Sequence, residues 1–499
     1  MLLTSALVIV VCQTFGISPL SFPGRATTFC GFCSSFFLIV FSRLKIEEQR
    51  ERPRVKKGTS ILPPLQFNKH HKGDGIGFPH THKEKTNLLH VNWKDEESHI
   101  QIVGDTGTGK SALFHYMLSQ IAERESDRVI IYDPSGEFWD NHSNPDRGDI
   151  WLYPFAPDSL YWDLAEEIEH PKIDPQLLSQ SFILPEEGGT PNIFEKGAQE
   201  VMAALLTTLH EKRATVGDLL EWMSDYAKMA EIVKGSPAAH FIDFEAKDQK
   251  AGMLATLATA AKGLSLVPPA GNRQRFSFAR WNREKTGWIF LGARGLGEQT
   301  VLEPLTRIWF DISIRQLTKR KSKIRSWIFI DELASLKHLP VLPNTFAQVR
   351  KYGVSVVAGF QGRSQMKHFY GDIAEAMLSS AKTKIFLRSI DYDAAEWAAQ
   401  TIGKPELVRW NDSRSVQLSG DRPSMNMRKE RGEEFIVIPN EIQTLQDRHA
   451  FLLYQGLVTP ISFDYPTSLM RAVTSPPVFE IGQAYVPLLP SSPHSARQK

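Results

Sequence analysis

A chain of 499 residues is long enough for about two or three domains, and 42% hydrophobic with 23% charged residues is ordinary for globular proteins. The 58 lysines and arginines nearly balance the 56 aspartates and glutamates, so any nucleic-acid surface must be local. The three cysteines, Cys12, Cys30 and Cys33, all lie in the first 33 residues, which excludes a disulfide framework in the rest of the chain.

The first 42 residues are apolar, and Arg25 is the one charged residue among them. Two apolar runs, 2–20 and 26–41, flank a short turn, and each has about the shortest length that crosses a hydrocarbon core. Basic residues between 43 and 57 follow, so the positive-inside rule places the main body in the cytoplasm. The pattern predicts a transmembrane hairpin over 1–42, with a single span or a signal peptide as the alternatives.

Residues 43–90 are predicted to form a basic juxtamembrane segment and linker. They are polar, and a cluster of four histidines in them, His70, His71, His80 and His82, lacks a recognisable metal-ligand spacing. Short strand-like pieces at 75–78 and 88–91 are expected to lead into the next domain.

The segment 104–111, GDTGTGKS, has the spacing of a phosphate-binding loop. An apolar strand at 100–103 precedes it, and 112–121 follows with apolar residues at helical spacing. Glycines let backbone N–H groups surround phosphate oxygens, while the lysine neutralises the β and γ phosphates and the serine holds Mg²⁺. ATP and Mg²⁺ are therefore the predicted cofactors, and an ordinary glycine-rich turn is the alternative. The predicted binding residues are Gly104, Asp105, Thr106, Gly107, Thr108, Gly109, Lys110, Ser111 and Ala112.

A second buried-type strand, 128–132, ends in the turn-rich segment DPSGE. Asp133 and Glu137 lie in this segment, at the same sheet edge as the phosphate loop. Either residue could face the nucleotide or cap the turn, and the sequence leaves both roles open.

Long helical patterns at 194–209, 216–229 and 251–264, without a convincing strand between them, predict an all-helical insertion. The expected organisation is a nucleotide-binding domain in two pieces, an inserted helical domain, and a Pro/Ser-rich tail expected to be disordered. Their predicted bounds are 91–163 and 276–470, 164–275, and 471–499.

The strand 326–330 is almost wholly apolar and ends at Asp331-Glu332. An acidic pair at a strand end is a Walker B arrangement when a phosphate loop lies upstream. Asp331 is then expected to hold the Mg²⁺ shell and Glu332 to deprotonate the attacking water. The pair indicates an enzyme that hydrolyses the nucleotide, since a passive binder has no need of the glutamate.

Two further candidates lie beyond this strand. Arg350, on a predicted helix at 344–352, could reach the γ-phosphate of a neighbouring subunit or be an ordinary surface arginine. Gln361 follows the predicted strand 354–360 and could sense the same phosphate.

These motifs carry a family resemblance. The loop GDTGTGKS, the run FIDELASL at 329–336 and the segment QVRKYGVSVVAGFQGRSQM at 348–366 resemble the type IV secretion coupling proteins of conjugation (the TraD/TraG-like family). The resemblance spans most of 98–465, and it assigns Arg350 to the arginine-finger position and Gln361 to the sensor position.

The resemblance implies a homo-hexameric ATPase of the bacterial inner membrane, α/β in class and RecA-like, of the FtsK/HerA superfamily. Its implied partners are single-stranded DNA with a bound relaxase and a type IV secretion channel. One departure is that only about 19–25 is available as a periplasmic segment. Two other functions stay open: a double-stranded DNA translocase, or a substrate receptor that uses ATP only for assembly.

Overall fold

The computed structural model describes residues 54–124, 126–185, 191–242, 247–284, 287–339, 341–415 and 424–466. The predicted transmembrane hairpin at 1–42 and the predicted tail at 471–499 lie outside these residues. In the part of the chain that is described, no helix is both long enough and apolar enough to span a bilayer.

The chain divides into two units. The smaller holds the residues up to Ser60 together with Gly403–Ile436, and the larger holds Ile61–Ile402 and the residues from Val437 onward. The strands are β1 Arg54–Lys57, β2 Ser60–Ile61, β3 Gly77–His82, β4 Lys85–His90, β5 Ile100–Val103, β6 Arg128–Asp133, β7 Ile150–Leu152, β8 Tyr161–Trp162, β9 Arg275–Phe276, β10 Ile289–Gly292, β11 Ser326–Ile330, β12 Val354–Phe360, β13 Thr383–Phe386, β14 Glu406–Ser415, β15 Ser424–Glu433, β16 His449–Tyr454 and β17 Leu457–Ser462. The α-helices are Pro64–His71, Lys110–Ala122, Glu137–His142, Asp174–Phe182, Ile193–Lys212, Val216–Ser224, Tyr226–Val233, Ala239–Ile242, Lys247–Leu264, Phe278–Glu284, Leu296–Thr318, Val341–Gln348, Arg363–Tyr370, Ile373–Ser380, Tyr392–Ile402 and Pro439–Gln443.

The larger unit is built on one mixed sheet. Seven strands are parallel in the spatial order β13, β5, β12, β11, β6, β10 and β7. Beyond β13, β16 and then β17 continue the sheet in antiparallel orientation. Every residue of β5, β6, β11 and β12 is buried, as expected of parallel strands that are covered on both faces. This confirms the predicted α/β class, and the antiparallel strands make the sheet mixed.

The parallel order brings the predicted chemistry to one edge. β12 lies between β5, which leads into the phosphate loop, and β11, which leads into Asp331. The carboxyl ends of parallel strands share an edge, so Gln361 after β12 and Asp133 at the end of β6 also lie there.

The residues described between 164 and 264 form helices, as the sequence pattern predicts, but the bounds of the inserted domain stay a prediction. The helical pattern at 216–229 corresponds to two helices, Val216–Ser224 and Tyr226–Val233, instead of one. Asp225 interrupts it, because its side chain accepts hydrogen bonds from the backbone N–H groups of Ala227 and Lys228 and so caps the second helix.

The predicted linker at 43–90 differs most from the structure. A helix and the hairpin of β3 and β4 lie within it, and Phe67, Ile76 and Phe78 belong to the hydrophobic core of the larger unit. The residues from Ile61 to His90 are therefore part of the domain that they were expected to precede.

The smaller unit contains a three-stranded antiparallel sheet in the order β1, β14, β15. No sequence pattern indicated the long hairpin of β14 and β15. It interrupts the segment 276–470, which was expected to belong wholly to the nucleotide-binding domain.

Candidate nucleotide site

The phosphate loop requires glycine at two positions. Gly107 and Gly109 have φ of 80° and 117°, a region that side-chain-bearing residues rarely adopt. A Cβ on Gly109 would also lie 3.1 Å from Cγ of Arg448 and 3.3 Å from the ring of Phe463. The backbone N–H of Arg448 donates to the carbonyl of Thr108 at 2.8 Å, so the start of β16 closes one side of the loop.

Lys110 begins the helix that follows the loop and is largely buried, with 8% of its surface exposed. Its Nζ donates to the carbonyls of Gly104 at 2.8 Å and of Asp105 at 3.2 Å. The ammonium group is therefore held over the loop, where it would meet the oxygens of a bound phosphate.

Ser111 and Asp331 meet across the sheet edge. The Ser111 hydroxyl donates to Oδ2 of Asp331 at 2.8 Å, although 220 residues separate them. Oδ1 of Asp331 is inaccessible and has no hydrogen-bond partner among the described residues. Burial raises the pKa of Asp331 to about 6, against the Ser111 hydrogen bond and the charge of Lys110, which lower it.

These oxygens fit Mg²⁺, which prefers hydroxyl and carboxylate ligands. Within the described ranges, no three His, Cys, Asp or Glu side chains are placed to hold a metal ion by themselves. That agrees with Mg²⁺, which is usually bound by one or two protein groups together with phosphate and water.

Glu332 is held by two glutamines. Its Oε2 accepts from Nε2 of Gln361 at 3.3 Å, and its Oε1 accepts from Nε2 of Gln365 at 3.2 Å. Oε1 of Gln365 also accepts from the backbone N–H of Gln361 at 3.0 Å. The structure thus brings the predicted base and the predicted sensor together. Gln365 was missed, although its spacing of four from Gln361 was a usable signal.

Arg350 lies elsewhere. It is on a short 3-10 helix, Val349–Tyr352, because the predicted helix ends at Gln348. This turn precedes the seven residues of β12, so Arg350 lies at the opposite sheet edge, about 20 Å from the phosphate loop. Its side chain is exposed and makes no hydrogen bond or ion pair with the described residues.

His99, just before β5, lies at the same edge of the sheet as Arg350. Burial is the main cause that lowers the pKa of His99 to about 4, and the charge of Arg350 also lowers it. Arg350 therefore lies outside the nucleotide site of its own chain.

Asp133 and Glu137, whose roles the sequence left open, have different surroundings in the structure. Asp133 is buried and its Oδ2 accepts from the backbone N–H of Trp139 at 2.8 Å, which is a structural role within the turn. Burial raises its pKa to about 7. Glu137 instead accepts from Nε2 of His115 at 2.9 Å and from the Tyr465 hydroxyl at 2.7 Å.

Residues 85–463 match the family model described as "Type IV secretion-system coupling protein DNA-binding domain". The coupling protein TraD of Escherichia coli strain K12 is 27% identical over 367 residues, which cover 71% of this chain and 50% of TraD. The conjugal transfer protein TraG of Rhizobium radiobacter is 25% identical over 136 residues, which cover 27% of this chain and 21% of TraG. The chain thus spans half or less of the length of these curated relatives.

Solved structures show the same fold. The unbound bacterial conjugative coupling protein TrwBdeltaN70 superposes with a TM-score of 0.70 at 22% identity, covering 83% of this chain and 95% of that one. TrwB in complex with ADP and Mg²⁺ gives the same values. VirB4 of Thermoanaerobacter pseudethanolicus has a TM-score of 0.50 at 15% identity, covering 79% of this chain and 98% of that one.

Proposed function

This chain belongs to the type IV secretion-system coupling protein family, and we propose that it is a membrane-anchored ATPase that delivers single-stranded DNA with its bound relaxase to a secretion channel. The observation that carries the ATPase is the hydrogen bond between Ser111 and Asp331, with Glu332 next in sequence. It joins a phosphate loop to a pair of acids at the same sheet edge, which is what metal-assisted hydrolysis of a nucleotide requires.

Each residue of the site has a defined task. Lys110 neutralises charge on the β and γ phosphates, and Ser111 and Asp331 hold the metal. Mg²⁺, when bound there, supplies positive charge to the phosphate oxygens. Glu332 takes the proton of the attacking water once its carboxylate is released from the two glutamines. The side chain of Gln361 can move its hydrogen bond from Glu332 to the γ-phosphate. Gln361 can therefore couple phosphate binding to release of the base.

We extend the proposal to a homo-hexamer in which Arg350 of one subunit acts at the nucleotide site of the next. An arginine finger supplied by a neighbouring subunit stabilises transition-state charge by about 10³ to 10⁵ in rate. Arg350 is exposed, pairs with none of the described residues and lies about 20 Å from its own phosphate loop, which suits that arrangement. The site is then complete only where two subunits meet.

The substrate proposal comes from the relatives. TraD is named as a coupling protein, TrwB is named as a bacterial conjugative coupling protein, and the family model names a DNA-binding domain. The apolar residues 1–42 and the basic residues after them supply the proposed anchor in the bacterial inner membrane, with the described domain on the cytoplasmic side.

Mixing two inactive variants tests the shared site. Arg350→Ala subunits keep an intact Glu332, and Glu332→Gln subunits keep an intact finger, so mixed assemblies contain some complete sites. We expect each variant alone to lose at least about 10²-fold in ATP turnover and the mixture to recover a measurable part of it. Phosphate release is measured across mixing ratios, with Lys351→Ala in place of Arg350→Ala as the control. Absence of recovery at every ratio would contradict a finger that acts between subunits.

A further inference from the structure

A polar cluster beside Asp331 has no task in the hydrolysis proposed above. Oε1 of Glu137 accepts from Nε2 of His115 at 2.9 Å and from the Tyr465 hydroxyl at 2.7 Å. Nδ1 of His115 is in turn 2.7 Å from Nε2 of His142. Partners from two other segments therefore fix one carboxylate, and His142, on the helix of Glu137 itself, holds His115. Oε2 of Glu137 has no hydrogen bond from the described residues.

The cluster is placed on the metal side of the loop. His115 follows Ser111 by four residues in the helix Lys110–Ala122, so both side chains lie on one helix face, a turn apart. Ser111 donates to Oδ2 of Asp331 at 2.8 Å, and His115 lies 2.9 Å from Oε1 of Glu137, so Asp331 and Glu137 contact adjacent turns of one helix. Burial raises the pKa of the Tyr465 hydroxyl to about 12, and its hydrogen bond to Glu137 and the charges of Glu137 and Asp331 also raise it.

Two carboxylates held near each other repel unless a cation lies between them. Oδ1 of Asp331 is the atom that lacks a partner here, being inaccessible and without a hydrogen bond from the described residues. A hydrated divalent cation would satisfy that oxygen directly and the free oxygen of Glu137 through one of its waters. Mg²⁺ usually keeps several waters when it binds a protein with substrate phosphates.

We propose that Glu137 is a third oxygen group of the Mg²⁺ site, where it orients a metal-bound water, and that His115 and Tyr465 are positioning residues for its carboxylate. This inference rests on the proposed ATPase. It assigns to Glu137, which follows the turn after β6, a role distinct from that of Glu332, which activates the attacking water.

Direct metal binding tests the proposal without reliance on turnover. The free Mn²⁺ signal in electron paramagnetic resonance gives the Mn²⁺ affinity of the full chain in the presence of a non-hydrolysable ATP analogue. Glu137→Gln should raise the Mn²⁺ dissociation constant about tenfold, as loss of an outer-shell ligand group does elsewhere. Tyr465→Phe, which removes one hydroxyl, should raise it by about threefold because a positioning contact is weaker than the group that it positions.

Asp140→Asn is the matched control. Asp140 lies on the same short helix as Glu137, but its carboxylate pairs with Arg294 at 3.3 Å. The Mn²⁺ affinity of the Asp140→Asn variant should therefore equal that of the parent protein. A merely structural role for Glu137 would lower the nucleotide-free melting temperature and leave Mn²⁺ affinity unchanged, which would overturn the proposal. If Glu137→Gln does not fold, Tyr465→Phe decides by the same measurement. If the parent protein does not bind Mn²⁺ in the presence of the analogue, the proposed ATPase function itself is contradicted.

Discussion

Replacing Lys110 by alanine should reduce ATP turnover by at least about 10²- to 10³-fold and weaken nucleotide binding. The Lys110 ammonium is buried over the loop and lies 2.8 Å from the Gly104 carbonyl, so no solvent cation replaces its charge against the phosphates. Steady-state phosphate release and the binding of a fluorescent ATP analogue measure the two effects.

The control for this change is Lys337→Ala. Lys337 is an exposed lysine whose Nζ pairs with Glu303 at 2.7 Å, and its loss should leave turnover within about twofold of the parent. Undiminished hydrolysis by the Lys110 variant would show that the loop is not the phosphate site.

Glu332→Gln should bind ATP and fail to cleave it, with a loss of about 10²- to 10⁴-fold in turnover. The amide keeps the size of the side chain but cannot accept a proton from water, while Lys110, Ser111 and Asp331 still hold the nucleotide. Retention of radiolabelled ATP through gel filtration separates this result from a loss of binding.

Glu375→Gln is the matched change for Glu332. The carboxylate of Glu375 pairs with Arg363 at 2.6 Å, and Arg363 is on the same helix as Gln365. Turnover should not depend on Glu375. Rapid turnover by the Glu332 variant would mean that another group deprotonates the attacking water.

The parallel strands at the site could be predicted from sequence because they are short apolar runs between clear turn signals. β5, β11 and β12 have the predicted bounds, and their order brings the loop, the acids and Gln361 to one edge. The phosphate loop was predictable for the same local reason, since its glycines serve a backbone conformation that other residues rarely adopt.

The features that were missed depend on distant contacts or on weak patterns. The hairpin of β14 and β15 has mixed polar residues without a clean alternation, so no strand period stands out. The contacts of Glu137 join segments 22 and 328 residues apart, and no sequence spacing predicts them. The position of Arg350 follows from the strand order, which places it at the sheet edge away from its own phosphates.

We propose that hydrolysis at this site drives movement of single-stranded DNA. ATP hydrolysis by the full chain is measured without DNA, with single-stranded DNA and with duplex DNA of equal nucleotide content, with Lys110→Ala as the background. We expect at least about tenfold stimulation by single-stranded DNA and a smaller effect of duplex DNA, since a motor is expected to couple turnover to its substrate. Hydrolysis that neither DNA changes, or that duplex alone stimulates, would contradict it.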